Sequence, residues 1–239
     1  MESLSDFEER RRRLVLGALA IGALAGCGPG AGTRSAMQVA MSSPREMPAG
    51  MSMYQLAGDV SVNGVAASLQ TVLKPGDEIE AGEDSQTIFV NGKDAFLLRA
   101  RSRLRLPTTP AGEYVVESGR ALGVFASRRT AIRTPTAYVG IRGTGVYVES
   151  EPDRSYVCTC YGTTDLAPAD APAITETITS VQHDAPRYIL ADKGAASRIV
   201  PAPFKNHDDE ELLLIETLVG RTTPYTVPGG PMRLRRGYP

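Results

Sequence analysis

The chain has 239 residues, 42% of them hydrophobic and 22% charged, with 9 Tyr, 5 Phe and no Trp. That length suits one domain, or one domain with an elaborate C-terminal extension, built on an aliphatic core. A net charge of −1 excludes a global electrostatic attraction to nucleic acid. The charge is laid out unevenly, however. Residues 57–98 carry seven acids and two lysines, a net of −5, while residues 99–142 carry nine arginines and two glutamates, a net of +7. The plainer account is that these halves pair with each other inside one fold.

At the N-terminus, Arg10 to Arg13 precede an uncharged, mostly apolar run from Leu14 to Gly26, which ends in Leu24-Ala25-Gly26-Cys27. A charged region, a short apolar region and small residues before a cleavage point mark an export signal. The run is about 13 residues, short of the ~20 that span a bilayer. Leu-Ala-Gly-Cys resembles the lipobox of bacterial lipoproteins, which implies that Cys27 is acylated and becomes the mature N-terminus. The alternative is an ordinary basic signal in which Cys27 is incidental. The arginines followed by Leu14, Val15 and Leu16 also resemble a twin-arginine signal, which exports folded proteins. Residues 1–26 are thus expected to be lost on export. The mature chain is expected to sit outside the cytoplasm, in the periplasm or at the outer membrane, held by its lipid. Residues 27–53, rich in Gly, Ala, Ser, Met and Pro, read as a flexible tether.

From residue 54 the pattern changes to short strands separated by turns. Val60-Ser61-Val62 leads into Asn63-Gly64, and Thr87-Ile88-Phe89-Val90 into Asn91-Gly92; both are hairpin signals, because these turn residues tolerate positive φ. Lys74-Pro75-Gly76-Asp77 is a turn, with Pro fixing φ and Gly taking the left-handed position. Leu98 to Leu106 alternates strictly, with Leu98, Ala100, Ser102, Leu104 and Leu106 on one face and Arg99, Arg101, Arg103 and Arg105 on the other. Such alternation predicts a half-buried strand. Strands are also expected over 113–117, 121–126, 137–141 and 145–149. Many strands at this spacing without helices between them predict an all-β sandwich, barrel or solenoid.

Gly58-Asp59-Val60, Asn63-Gly64, Leu73-Lys74-Pro75-Gly76-Asp77-Glu78-Ile79 and Ala81-Gly82-Glu83-Asp84-Ser85 carry a resemblance. So do Ser102-Arg103-Leu104-Arg105-Leu106, Glu117-Ser118-Gly119, Arg133-Thr134-Pro135-Thr136-Ala137 and Ile141-Arg142-Gly143-Thr144. In this order and spacing they resemble the FecR domain, over roughly residues 57–149. The resemblance implies an extracytoplasmic β-rich module, 54–150, with residues 151–239 as a C-terminal extension. The fold class expected is therefore mainly β, a FecR-like sandwich or solenoid of short strands with one C-terminal α-helix docked on it. The best-known family members are anti-sigma regulators with a cytoplasmic segment and a membrane helix. With 13 residues before an apolar run too short to span, direct binding of a sigma factor is not expected here.

Two arginine features are candidate surfaces for an anion or a partner. Guanidinium groups of Arg99, Arg101, Arg103 and Arg105 would recur every ~6.8 Å along one strand face, where planar donors suit phosphate, lipid headgroups or acidic polysaccharide. The segment lacks the aromatics that nucleic-acid stacking needs. The plainer account is a neighbouring strand that presents Glu and Asp. Arg142-Gly143-Thr144-Gly145 similarly reads either as an anion-binding turn or as a place where Arg142 answers an acid of the −5 half.

In the extension, 154–160 reads as a strand that puts Cys158 and Cys160 on one face with Cα atoms ~6.6 Å apart, near the upper limit for a disulfide. A Pro- and Ala-rich loop over 166–172, a β-prone stretch 174–181, a turn at His183-Asp184-Ala185-Pro186 and a short strand 188–190 follow. A helix is predicted over 208–220, capped by Asp208 with Glu211 three residues on, with Leu212, Ile215, Leu218 and Val219 on its apolar face and Gly220 as a stop. If Cys27 is lipidated, the remaining cysteines and both histidines are Cys158, Cys160, His183 and His207. Together they form a candidate Cys2His2 set for one zinc or copper ion. A Cys-x-Cys disulfide, free buried thiols and a Cys–His nucleophile remain alternatives.

No paired-carboxylate, Gly-x-Ser-x-Gly or His-Glu-x-x-His pattern points to an enzyme. The function expected is a non-enzymatic, lipid-anchored binding or scaffold module of the cell envelope. Its partner would be an envelope protein or an anionic envelope polymer. The alternative is a periplasmic metal- or redox-sensing protein that works through the Cys/His set.

Overall fold

Among residues 44–225, which the computed structural model describes, the chain is mainly β with a single docked helix. The strands are β1 (Met53–Ala57), β2 (Val60–Val62), β3 (Val65–Ala66), β4 (Glu78–Ala81), β5 (Gln86–Asn91), β6 (Asp94–Leu98) and β7 (Ser102–Arg105). They continue with β8 (Glu113–Val124), β9 (Arg129–Arg133), β10 (Ala137–Ser150), β11 (Arg154–Pro168), β12 (Glu176–Ser180), β13 (Arg187–Leu190) and β14 (Ile199–Pro201), and the helix is α1 (Asp209–Leu218). No helix among the described residues is long and apolar enough to cross a membrane. The export signal, Cys27 and the chain beyond Tyr225 lie outside the described residues.

All the strands join one sheet, ordered β14-β13-β11-β10-β9-β8-β7-β4-β2-β3, with β12 beside β11, β6 beside β8, and β5 between β6 and β1. Pairing is antiparallel except between β8 and β9. Period-two alternation sorts the side chains into two cores. Phe89, Phe96, Leu98, Ala121, Val146, Val148 and Val157 enter one core, where Ile79, Leu104 and Ile189 join them. Strands at opposite ends of the order share that core, so the sheet curls around it. The alternate residues of the same strands, Ile88, Leu97, Leu122, Tyr147, Cys158 and Cys160, enter a second core that α1 covers.

Long strands reach both regions by bending at glycines. In β8, Gly119 has φ +79°, and a Cβ there would lie 2.5 Å from the Ser102 backbone. In β10, Gly143 has φ +58°, and the β10–β11 register shifts between Arg142 and Gly145. Gly143 lies in a β-bulge, and Gly119 lies beside the one at Glu117, where the β7–β8 register shifts; bulges bend a strand and let it change partners. Thus β10 pairs with β9 through residues 138–142 and with β8 through residues 145–150.

The predicted turns at Asn63-Gly64 and Lys74–Asp77 are present, with positive φ at Asn63, Gly64 and Gly76; at Asn91-Gly92, φ is positive at Gly92. The helix has its predicted capping box, Asp208 accepting from the Glu211 amide and Glu211 from the Asp208 amide.

Several expectations need correction. Strands expected separately over 113–117 and 121–126 are one strand, β8, and those over 137–141 and 145–149 are one strand, β10. Each was divided at a glycine in or beside a bulge. The boundary expected between 150 and 151 falls inside the β10–β11 hairpin, whose strands pair from Ala137↔Pro168 to Ser150↔Ser155. The expected loop at 166–172 starts later, because β11 continues to Pro168. At the end of the expected tether, the chain is held at three points: the Met47 amide donates to the Leu218 carbonyl at 2.9 Å, and Ser52 and Met53 are buried.

The nine-residue arginine strand is also interrupted. Leu98, Leu104 and Leu106 do face the first core, but β6 stops at Leu98 and β7 resumes at Ser102. Between them Arg101 takes φ +58°, and its amide bonds to the Gly82 carbonyl at 2.9 Å. The break faces Gly119 and its neighbours, since β6 pairs with residues 121–124 and β7 with residues 115–118 of the same strand.

Candidate metal centre

Three parts of the fold converge on the second core. β11 carries Cys158 and Cys160 on its helix-facing side, as the period of two requires. β12 returns antiparallel along β11, with Gly162 opposite Ser180, so the turn after β12 comes back beside Cys160. There the His183 amide donates to the Cys160 carbonyl at 2.9 Å. His207 immediately precedes the N-cap Asp208 of α1. Of the four non-glycine residues with positive φ among the described ones, His183 (φ +56°) and Asn206 (φ +61°) belong to these two turns. Backbone held in that region costs energy that the surrounding contacts must offset.

The four side chains form one buried group, each at most 1% exposed, whose ligand atoms all lie within 4.8 Å of one another. Cys158 Sγ is 3.5 Å from His183 Nδ1, Cys160 Sγ is 3.4 Å from His207 Nε2, and the two imidazole nitrogens are 3.0 Å apart. Around one tetrahedral ion, bonds of ~2.0 Å to nitrogen and ~2.3 Å to sulfur place N and S ~3.5 Å apart and two nitrogens ~3.3 Å apart. The group could therefore hold a metal ion with little rearrangement. Both cysteines are free thiols in this arrangement.

The remaining ring nitrogens are committed elsewhere. His183 Nε2 donates to Asp209 Oδ1 at 2.9 Å, and the other Asp209 oxygen accepts from Gln182 Nε2 at 2.7 Å. His207 Nδ1 donates to the Lys205 carbonyl at 2.8 Å. Each ring thus turns its other nitrogen toward the sulfurs, which is how outer partners orient metal-binding histidines. Tyr147 stacks on His207 with centroids 4.4 Å apart, and Phe204 packs against both imidazoles at 4.6 and 4.7 Å.

The electrostatics follow from burial and these contacts. Burial opposes the charged form of His183, but Asp209 and Cys158 outweigh it and push its pKa up to about 9. Burial also pushes the Cys158 thiol up. The Cys160 hydrogen bond and the nearby imidazoles reverse that and hold it well below the usual thiol range. Cys160 goes the other way, raised by burial and by Cys158. One thiol of the pair is thus primed to ionise.

A shell of ion pairs surrounds the group. Arg99, expected on the exposed arginine face, is buried beneath α1. Its guanidinium donates to Glu211 at 2.9 Å and to the Asn206 carbonyl at 2.8 Å. Lys205 pairs with Glu149 at 2.6 Å, and Asn206 Nδ2 donates to the same carboxylate at 2.7 Å. Burial raises the Glu149 carboxyl, but Lys205 and Asn206 outweigh it and leave its pKa lowered.

The other arginines are apart from this centre. Arg101 pairs with Glu83, Arg103 with Glu78 and Glu80, and Arg105 with Glu117 at 3.8 Å. The four-guanidinium array is therefore divided, because α1 covers the face where Arg99 emerges. Arg142-Gly143-Thr144-Gly145 is a bulge within β10 rather than a turn. Arg142 pairs with Asp165 at 2.7 Å, an acid of β11 and not of the −5 half.

Asp209, Gln182, Tyr147, Phe204 and Arg99 were not singled out for this centre by sequence. Asp209 had a visible signal, lying two residues after His207, but an acid in the first helical turn is equally explained by the helix dipole.

No known protein family matches this sequence, and no curated protein resembles it. Among solved structures, two crystal structures of a candidate anti-sigma factor from Parabacteroides distasonis ATCC 8503 are similar to it. Both have 14% identity and a TM-score of 0.44; they cover 59% and 60% of this chain and 73% and 74% of the other. At that level of similarity the functional reading is left to the centre's own chemistry.

Proposed function

We propose that the protein is a non-catalytic, metal-binding β module of the cell envelope that takes one zinc ion at Cys158, Cys160, His183 and His207. The observation that carries this reading is the convergence of four buried ligand atoms within 4.8 Å of one another, with the outward nitrogen of each imidazole engaged elsewhere. A closed set of two thiolates and two imidazoles is the ligand set of structural zinc sites. Full burial leaves no open position for substrate, which favours a structural or sensory role over catalysis. When bound, the ion would supply charge neutralisation and a covalent tie between β11, the His183 turn and the start of α1.

The envelope setting is part of the same proposal. It rests on Arg10–Arg13, the short apolar run and Cys27, which support export and lipid anchoring. The partner envisaged is an envelope protein or anionic polymer, with no direct sigma-factor contact.

The test is elemental analysis of untagged full-length protein purified without chelator, beside Cys158→Ser and His207→Ala. One equivalent of zinc in the wild type and loss of it in both variants is expected. Absence of metal from the wild type, with zinc failing to bind on titration, would refute the site. One equivalent of copper would keep the site and replace the ion.

A further inference from the structure

Polar contacts of the centre are concentrated where α1 begins. Within residues 206–211, the Asn206 side chain bonds Glu149 and its carbonyl accepts from Arg99. His207 is a ligand, Asp209 holds His183, and Glu211 holds Arg99. Beyond this turn the helix is attached mainly by apolar packing of Leu212, Ile215 and Leu218 over Ile88, Leu97, Leu122 and Val124, with the Tyr161 hydroxyl of β11 donating to the buried Glu216. Its C-terminal end bonds the N-terminal segment, the Met47 amide donating to the Leu218 carbonyl. Arg221 in turn ties Glu216 to the Lys93 carbonyl.

The first core needs none of this. Its residues come from the strands and the loops between them, and none from α1. The two faces of the sheet therefore have separate sources of burial. α1 is 10 residues long, below the ~12–15 at which an isolated helix holds in water, so its order depends on docking.

We propose that occupancy of the Cys158, Cys160, His183 and His207 site controls whether α1 is docked, so that loss of the ion releases the helix and the N-terminal segment it holds while the rest of the sheet stays folded. This rests on the metal reading above. A ligand that binds the docked form and not the released one shifts the equilibrium in proportion to its binding; zinc at one hundred times its dissociation constant favours docking by a factor of about 100. The same linkage is reciprocal, so weakened docking must weaken the ion. Release would uncover the apolar face under α1 and free residues 45–51, whose Met47 amide is bonded to the helix.

The experiment is hydrogen exchange by mass spectrometry on the full chain, before and after chelation, with zinc content measured on the same samples. Chelation is expected to speed exchange about 100-fold in peptides covering 206–219, and to raise exchange at 45–51, with β4, β7, β9 and β10 unchanged. Ile215→Ala, which shortens a buried side chain away from the ligands, is expected to lower zinc affinity ~10-fold or more. One bound zinc with α1 exchange insensitive to chelation overturns the latch and leaves the site standing. Simultaneous loss of protection throughout the chain also overturns it, since the ion would then hold the whole fold. So does wild-type affinity in Ile215→Ala. Failure to bind zinc overturns the site and the latch together.

Discussion

Replacing Asp209 by Asn isolates the contribution of the carboxylate behind His183. The side chain keeps its shape but offers one oxygen where Asp offers two. In the native arrangement both oxygens are used, one accepting from His183 Nε2 at 2.9 Å and the other from Gln182 Nε2 at 2.7 Å. An amide can accept only one of these, and its NH2 then faces the other donor. The charge that strengthens the His183 bond is lost as well. A hydrogen bond to a charged group contributes ~1.5–3 kcal/mol, which corresponds to about 10- to 100-fold in affinity. Mutations of such outer partners reduce metal affinity over the same range. Competition against a chromophoric zinc chelator at fixed pH reads the change directly, with Glu210→Gln as the control for removing an acid from the first helical turn. Asp209→Asn is expected to weaken zinc ~10- to 100-fold and Glu210→Gln to leave it unchanged. If Asp209→Asn binds zinc as tightly as wild type while its zinc-free form is destabilised, the carboxylate only supports the helix and the orienting role is wrong.

Other perturbations have equally definite outcomes. Any one of Cys158→Ser, Cys160→Ser, His183→Ala and His207→Ala should lower both zinc content and thermal midpoint, and chelator should reproduce the loss in wild type; reductant acting where chelator does not would point back to a disulfide. Arg99→Met strands the buried Glu211 carboxylate and should cost ~3–5 kcal/mol in urea unfolding, whereas Arg99→Met with Glu211→Leu should recover most of it; equal losses in the single and double variants would contradict the pairing. Gly119→Ala forces a Cβ onto the Ser102 backbone at φ +79° and should cost at least ~2 kcal/mol, measured in the same assay. For pH, His183 in the zinc-free protein is raised from 6.5 to about 9. Its stabilising contribution is complete below pH 6.5 and lost as pH rises through 9, so the zinc-free thermal midpoint should fall across that window. Zinc binding runs the other way, because thiols and imidazoles must give up protons, so the zinc-induced shift in midpoint should grow over the same interval.

What the sequence disclosed depended on how local each feature is. The common face of Cys158 and Cys160 follows from the strand period alone, and the rigid placement of His207 follows from the Asp208–Glu211 capping box. Their meeting with His183 depends on β12 folding back along β11 with Gly162 opposite Ser180, a register that Thr- and Pro-rich sequence around residues 163–177 does not specify. The arginine pattern shows the same division. Alternation from Leu98 to Leu106 correctly put the leucines inward, yet whether the opposite face meets solvent was decided by α1, more than a hundred residues away. Gly119 and Gly143 read as strand ends, because a glycine signals positive φ without saying that pairing resumes beyond it. β9 was missed for a related reason. Five residues bounded by arginines, Arg129–Arg133, gain a strand's stability from β10 and from a parallel pairing with β8, neither of which is local.

The central claim is that two sulfurs and two imidazole nitrogens close around one ion. Zinc-edge X-ray absorption on full-length protein loaded with one equivalent of zinc measures that shell directly. The account predicts two sulfurs at ~2.3 Å and two nitrogens at ~2.0 Å, with the outer-shell scattering of imidazole rings. A shell dominated by oxygen, or one without sulfur, would contradict it.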